Sequence, residues 1–239
     1  MTMPTAATVA TAAASSSKLS VLVIGASRGL GLEMVRQYRA AGAHVVATAR
    51  DDAGVEALHP LGARPLKLDV TRPVSVSSLA WQIDGEAFDI VVVNAGVYGP
   101  RLRTLDSPTG DDFDQVMHTN VLGPMQVIPQ LIDALAQGGR LVVLSSVMAS
   151  IGGRDKTLGW LYSASKAALN SVLKDVSLAL AGRATCVAVH PGWVRTAMGG
   201  PQGQLSVEES VADLRALFAS LGPADNGTFR NHDGSVLPW

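Results

Sequence analysis

Six apolar runs recur along the chain from Leu19 onward: "LSVLVIG", "AHVVATA", "RPLKLDV", "DIVVVNAG", "GRLVVLSS" and "ATCVAVHPG". Longer segments of helical period separate them. Most of the runs are apolar at successive positions rather than at every second one. A strand covered on one face alternates, whereas a strand covered on both faces does not. The runs therefore predict a parallel sheet with helices on each side, a single-domain, Rossmann-like, doubly wound α/β fold. A weaker run at "GTFRN" brings the sheet to about seven strands. Helices are expected near residues 29–41, 74–84, 111–137, 161–181 and 206–220, with Pro124 and Pro129 bending or interrupting the third of them.

A chain of 239 residues with 47% apolar and 16% charged content suits one domain with a substantial core, over residues 19–239. The formal charge of −1, with no block of like charges, points away from nucleic acid and from anionic membrane surfaces. A membrane span would need an apolar run of about eighteen residues or more, and none is present. The opening "MTMPTAATVATAAASSSK" lacks the basic residues of a secretory or mitochondrial signal, and residues 1–18 are expected to be a disordered extension. Cys186 is the single cysteine and is read as a buried strand residue, so a cytoplasmic protein is expected. No metal-binding set is predicted.

"VLVIGASRGLGLEM" joins the first strand to the first helix, with Gly25, Gly29 and Gly31 spaced G-x-x-x-G-x-G. Glycines there allow a tight turn and close approach of a ligand, and the free N–H groups of a helix start attract phosphate. After an apolar strand and before a helix, this loop indicates a dinucleotide, with Ser27, Arg28 and Leu30 as further contacts. The second strand ends "VVATAR", without the carboxylate that would bind the ribose 2′-hydroxyl of NAD. Arg28 and Arg50 instead suit a 2′-phosphate, which favours NADPH/NADP+ over NADH, although Asp51 is placed to neutralise Arg50. In "KLDV", Asp69 and Val70 lie at a strand end where the carboxylate can accept from an adenine amino group. Asn94, Ala95 and Gly96 of "NAG" offer close backbone approach beside a ribose, or form a plain turn.

"GWLYSASKAALN" places Tyr162 one helical turn before Lys166, on one face. An ammonium there favours the phenolate and brings a group that titrates near about pH 10 toward useful acid–base chemistry.

In order along the chain, "GASRGLG", "NAG", Asn120 of "HTNVLGP", "VLSS", "YSASK" and "HPGWVRT" resemble the short-chain dehydrogenase/reductases. The resemblance extends from about residue 19 to the end. "HPGWVRTAMGGP", "SVEESVADLR" and the ending "DGSVLPW" resemble one branch of that family, the C-factor and Sniffer-type carbonyl reductases. The resemblance implies that Tyr162 is the acid protonating a carbonyl oxygen. It also implies that Lys166 favours its phenolate and bonds the nicotinamide ribose, that Ser146 holds the substrate oxygen, and that Asn120 fixes a water leading from Lys166 to solvent. Pro191 and Gly192 would turn the chain so that Val194 and Thr196 meet the carboxamide. His190 is assigned no role. The chain departs from the family pattern at Val93, where a second asparagine is common, and in the sixteen residues separating Ser146 from Tyr162. Ser145 stands as the alternative to Ser146.

The two loops expected to wall the site are residues 100–110 and "MASIGGRDKTLG", since ligands of open parallel sheets bind beyond the strands' carboxyl ends. Tyr98, Met148, Ser150, Trp160 and Trp193 are the candidate substrate-pocket residues by loop position, and their mostly apolar character suits a ketone or aldehyde. "AMGGPQGQLS" resembles a lid, with Gly199 and Gly200 as hinges. The leading expectation is an NADPH-dependent carbonyl reductase, reversibly an alcohol dehydrogenase. The alternative is an NAD(P)-binding signalling protein of the C-factor type. The resemblance implies a homodimer formed through the helices after the fourth and fifth strands.

Overall fold

The computed structural model describes residues 18–101 and 105–239. The expectation of a disordered extension falls on residues outside these. Seven strands, β1 (Ser20–Ile24), β2 (His44–Ala49), β3 (Arg64–Lys67), β4 (Phe88–Val93), β5 (Leu135–Leu144), β6 (Ala184–His190) and β7 (Thr228–Asn231), form one sheet. Its order is β3-β2-β1-β4-β5-β6-β7 and every pairing is parallel. The helices are α1 (Gly29–Ala40), α2 (Asp52–Leu58), α3 (Pro73–Ser77), α4 (Leu79–Gln82), α5 (Gly110–Met117), α6 (Gly123–Leu131), α7 (Trp160–Ala179) and α8 (Val207–Ser220).

The unalternating strand runs are explained by two cores, one on each side of the sheet. Val21, Val23, Val45, Ala47, Ile90, Val92, Val142 and Leu144 face Met34 and Val35 of α1 and Leu214 and Phe218 of α8. Their neighbours Leu22, Ile24, Val46, Val91, Val93, Leu141 and Val143 face Val76, Leu79, Val127, Leu131, Leu169 and Leu173 on the other side. Each fully buried Leu or Phe contributes about 1.5–3 kcal/mol relative to an exposed one. Cys186 is completely buried among them, and burial pushes its thiol up to about 12.

Two helix expectations are corrected, and one helix is added. The 74–84 segment is two short helices, α3 and α4. The seven-residue α2 was not foreseen: Asp51 starts it by accepting from the Gly54 N–H at 2.9 Å, a capping signal too local for periodicity to register. The 111–137 helix is broken between α5 and α6 by a wider π-helical turn, His118–Leu122, and ends at Leu131. Pro124 sits in the first turn of α6 and has no N–H to return to the carbonyl of Asn120, so the ladder must widen there. The expected interruption therefore falls at the turn that carries Asn120.

Candidate active site

The strand order reverses between β1 and β4, and most of the polar residues singled out above gather at the carboxyl ends of β1, β4, β5 and β6. Tyr162 and Lys166 lie on the buried face of α7, only 7% and 4% exposed. Lys166 Nζ donates to the Leu144 carbonyl at 2.8 Å and stands 5.9 Å from the centre of the Tyr162 ring. Asn120, wholly buried, accepts from the Val97 N–H at 2.8 Å and donates to the Val97 carbonyl at 2.8 Å and to Ser165 Oγ at 3.0 Å. A Cβ at Gly96 would sit 3.2 Å from Asn120 Oδ1 and 3.3 Å from Lys166 Nζ. Glycine there lets the asparagine and the lysine share one small space.

The two serines differ in their neighbours. Ser145 Oγ turns inward and donates to Asn170 Oδ1 at 2.6 Å. Ser146 is the serine whose hydroxyl lies where it lowers the Tyr162 pKa, and it accepts from the Met148 N–H at 3.2 Å.

In the chain by itself, the pKa values of this pair follow their burial. Burial pushes the Tyr162 phenol up to about 12, with Ser146 pulling it back and Tyr98 adding to the rise. Burial likewise brings Lys166 down to about 8 from 10.5. Desolvation penalises the charged form of both groups.

A pH dependence of stability follows from the lysine. Between 8 and 10.5 the unfolded chain binds a proton that the folded chain has released, so stability rises with pH through this window. Tyr162 acts in the opposite sense, but only above its unfolded value of 10. Urea unfolding at about pH 7.5 and about pH 9.5 should show wild type gaining on the order of 2 kcal/mol over Lys166→Met across the interval. Parallel pH curves for the two proteins would show that Lys166 titrates like a solvated lysine.

The glycine loop is built for close packing and for an anion. A Cβ at Gly31 would lie 2.3 Å from the Gly25 carbonyl oxygen, and one at Gly25 would lie 2.8 Å from the Ala95 backbone. Asn94 Nδ2 donates to the Gly25 carbonyl, and Thr48 Oγ1 accepts from the Gly25 N–H at 3.0 Å, tying the loop to β4 and β2. Gly29, at φ +56°, has by contrast only Thr196 Cγ2 within 4 Å of a would-be Cβ, at 3.9 Å. The start of α1 has neither a side-chain cap nor an acidic residue in its first turn, unlike α5 and α8, which carry capping boxes. Its free N–H groups suit a phosphate.

Arg28, at the start of α1, and Arg50, at the end of β2, are both exposed, and Arg50 lies 4.0 Å from Asp51, whose other oxygen caps α2. Asp69 accepts from the N–H and hydroxyl of Thr71 at 3.0 and 2.7 Å. Its pKa is lowered: burial raises it, but the Thr71 bonds and then Arg50 and Arg72 overcome that. Val70 is buried against Gly123 at the start of α6. The Pro191–Gly192 turn is held by Ser210 of α8, which donates to the Pro191 carbonyl at 2.6 Å, and Gly192 takes φ +84° against Leu205 and His232. Val194 is buried, and Thr196 Oγ1 accepts from the Gly199 N–H at 3.0 Å. His190 is brought down to about 4 by burial and then by His232, a neighbour invisible in the sequence.

Of the proposed pocket residues, Tyr98 stacks on Tyr162 with ring centres 4.7 Å apart, and Met148 shares with Tyr98 the space in front of Gly159. Trp160 and Trp193 stand at the rim, their indole N–H groups bonded to the carbonyls of Asp106 and Gly199 at 3.2 and 2.8 Å. Ser150 does not join them. It is 1% exposed, and its hydroxyl is taken by the Trp239 carbonyl at 3.4 Å and the Gly153 N–H at 3.0 Å. The same Trp239 oxygen accepts from Ile151 and Gly152, so the end of the chain clasps the loop that follows Ser146. Met198 brings the 197–206 loop over the site, its sulfur 4.0 Å from the Tyr162 hydroxyl. Arg101 fastens that loop by donating to the Met198 carbonyl at 2.9 Å while lying over Tyr98. Gly199 and Gly200 belong to a bonded turn on Thr196. Sequence reasoning missed Thr48, Val97, Leu144, Arg101, Met198 and Trp239, because each reaches the site through a backbone group or across a long stretch of chain.

A doubly wound parallel sheet with a glycine loop at its switch point defines a dinucleotide-binding class of protein. The model of the short chain dehydrogenase family matches residues 19–205, and this chain belongs to that family of oxidoreductases. A short-chain dehydrogenase/reductase of Burkholderia multivorans, solved with bound NADP, is 34% identical and superposes with a TM-score of 0.85 over 93% of this chain and 100% of its own. The carbonyl reductase Sniffer of D. melanogaster is 27% identical, with a TM-score of 0.83 over 93% and 100% of the two chains. The C-signal protein of Myxococcus xanthus is 33% identical over 154 residues, spanning 63% of this chain and 92% of that protein. The expected family and branch are thereby borne out. No helix among the described residues is long and apolar enough to cross a membrane, and no cluster of three or more metal-ligating side chains occurs among them.

Proposed function

We propose that the protein is an NADPH-dependent reductase of ketones or aldehydes, with Asn120, Ser146, Tyr162 and Lys166 as its proton-handling set. The observation that carries this reading is the convergence of those four residues on one buried space beside the glycine loop. When bound, the dinucleotide supplies the hydride that reaches the carbonyl carbon. Ser146 donates a hydrogen bond to the carbonyl oxygen, and Tyr162 delivers its proton there as negative charge develops. A phenol is protonated at neutral pH and can serve as the acid in the reductive direction. Lys166, anchored on Leu144, stabilises the phenolate that remains, and Asn120 holds the backbone of Val97 in place beside it. The apolar walls of Tyr98 and Met148 favour a substrate of modest polarity and exclude water.

Cofactor choice rests on Arg50, exposed at the end of β2 where NAD-dependent sites carry a carboxylate, and on Arg28, exposed in the glycine loop. The test is the absorbance of NADPH and NADH with a panel of aromatic and aliphatic ketones and aldehydes. Wild type is expected to turn over with NADPH. Arg50→Asp should raise the KM for NADPH by about tenfold or more while leaving NADH turnover unchanged or improved, since it replaces a phosphate-binding charge with one that repels it. Equal use of both dinucleotides by wild type would remove the preference. Binding without turnover on the whole panel would favour the signalling reading, which the likeness to the C-signal protein supports.

A further inference from the structure

At the opposite end of the central strands, near the amino ends of β1 and β4, α1 and α8 leave a groove of about 530 Å³ between them. It is lined by Leu19, Ile90, Ala212, Ala216 and Ala219, and by three polar residues, Tyr38, Arg140 and Arg215. This volume falls within the roughly 300–1,000 Å³ of small-molecule sites.

The polar residues are left with unmet bonding capacity. Tyr38 is 2% exposed and its hydroxyl has no partner, and Arg215 Nε is likewise shut away without one. A buried polar group without a partner costs about 1–3 kcal/mol, so its retention calls for a reason. Among the described residues no carboxylate lies within 4.0 Å of either guanidinium. The two cations are nevertheless held in place. Arg215 lies 4.8 Å over the Tyr38 ring and donates to Gln37 Oε1 at 3.2 Å. Arg140 donates from Nε to the Leu221 carbonyl at 3.2 Å and from Nη2 to the Ala219 carbonyl at 3.5 Å. Burial lifts the Tyr38 phenol to about 12, against the pull of Arg215 and then Arg140, so both cations act on the same hydroxyl.

We propose that this groove binds a small organic anion, a carboxylate or phosphate monoester on an apolar body, held by Arg215 and Arg140 beside the Tyr38 phenol. The charged head meets two planar donors suited to carboxylate or phosphate oxygens. The apolar body covers Leu19, Ile90 and the alanine stripe of α8. The site stands apart from the reducing centre and does not depend on how that centre works.

Octanoate and inorganic phosphate are the probes, titrated calorimetrically into the full chain with NADP+ in excess, so that phosphate is not read at the glycine loop. Wild type should bind octanoate saturably, with phosphate weaker for lack of an apolar body. Arg215→Gln and Arg140→Gln should each weaken octanoate at least tenfold, with unchanged circular dichroism and unchanged NADP+ binding. Arg215→Lys keeps the charge but not the planar fork and should fall between. Octanoate binding equal in wild type and both glutamine variants, or no saturable binding of either probe, would overturn the proposal.

Discussion

Tyr162→Phe is expected to lower kcat/KM for carbonyl reduction by about 10²- to 10⁴-fold, the usual contribution of a positioned general acid. The variant keeps the ring that stacks on Tyr98 at 4.7 Å and loses only an oxygen. Folding and NADPH binding should therefore stay close to wild type. A fall in kcat matched by the same fall in kcat/KM would mark an interaction made in the transition state alone. A fall confined to KM would reduce Tyr162 to a substrate contact. Full activity in the variant would move proton delivery to Ser146 or to solvent.

The second large effect is expected at the cofactor loop. Gly31→Ala places a methyl 2.3 Å from the Gly25 carbonyl oxygen, 2.7 Å from Asn94 Nδ2 and 2.9 Å from the Ala26 Cα. Two of these walls are backbone, so the loop must move away from the "NAG" segment. The overpacking should cost about 1–3 kcal/mol of stability. The displaced loop should weaken NADPH by about a hundredfold, because the N–H groups that meet phosphate lose their aim. Quenching of tryptophan fluorescence by NADPH measures the affinity, and thermal unfolding measures the cost to the fold. A variant that binds NADPH normally would show that the loop tolerates the shift and that the dinucleotide is held elsewhere.

Gly29→Ala forms the contrast. A methyl there would meet only Thr196 Cγ2, at an ordinary 3.9 Å, so any loss comes from the φ of +56° or from a ligand brought close to it.

Much of the architecture was legible before any coordinates. The strand runs are apolar on both faces because two cores need them to be, and this property of composition along the chain survives without knowledge of the partners. The glycine spacing was equally legible, since a positive φ and a backbone contact leave few other residues possible. The Tyr162–Lys166 pair follows from helical geometry, which sequence spacing reports directly.

What only the tertiary structure decided concerns groups whose surroundings come from distant chain. Ser145 and Ser146 are adjacent and chemically identical. Asn170, twenty-five residues on, takes the hydroxyl of the first, whereas that of the second accepts from the Met148 N–H and lowers the Tyr162 pKa. The break that carries Asn120 needed the cooperation of Pro124 with a widened turn. Ser150 looked like a pocket residue by loop position, but the end of the chain claims its hydroxyl. Burial raises the Tyr162 phenol and lowers the Lys166 ammonium, an effect that their spacing along α7 does not report. Spacing along a helix records which side chains are neighbours. Desolvation depends on everything else that closes around them, and only the folded chain determines that.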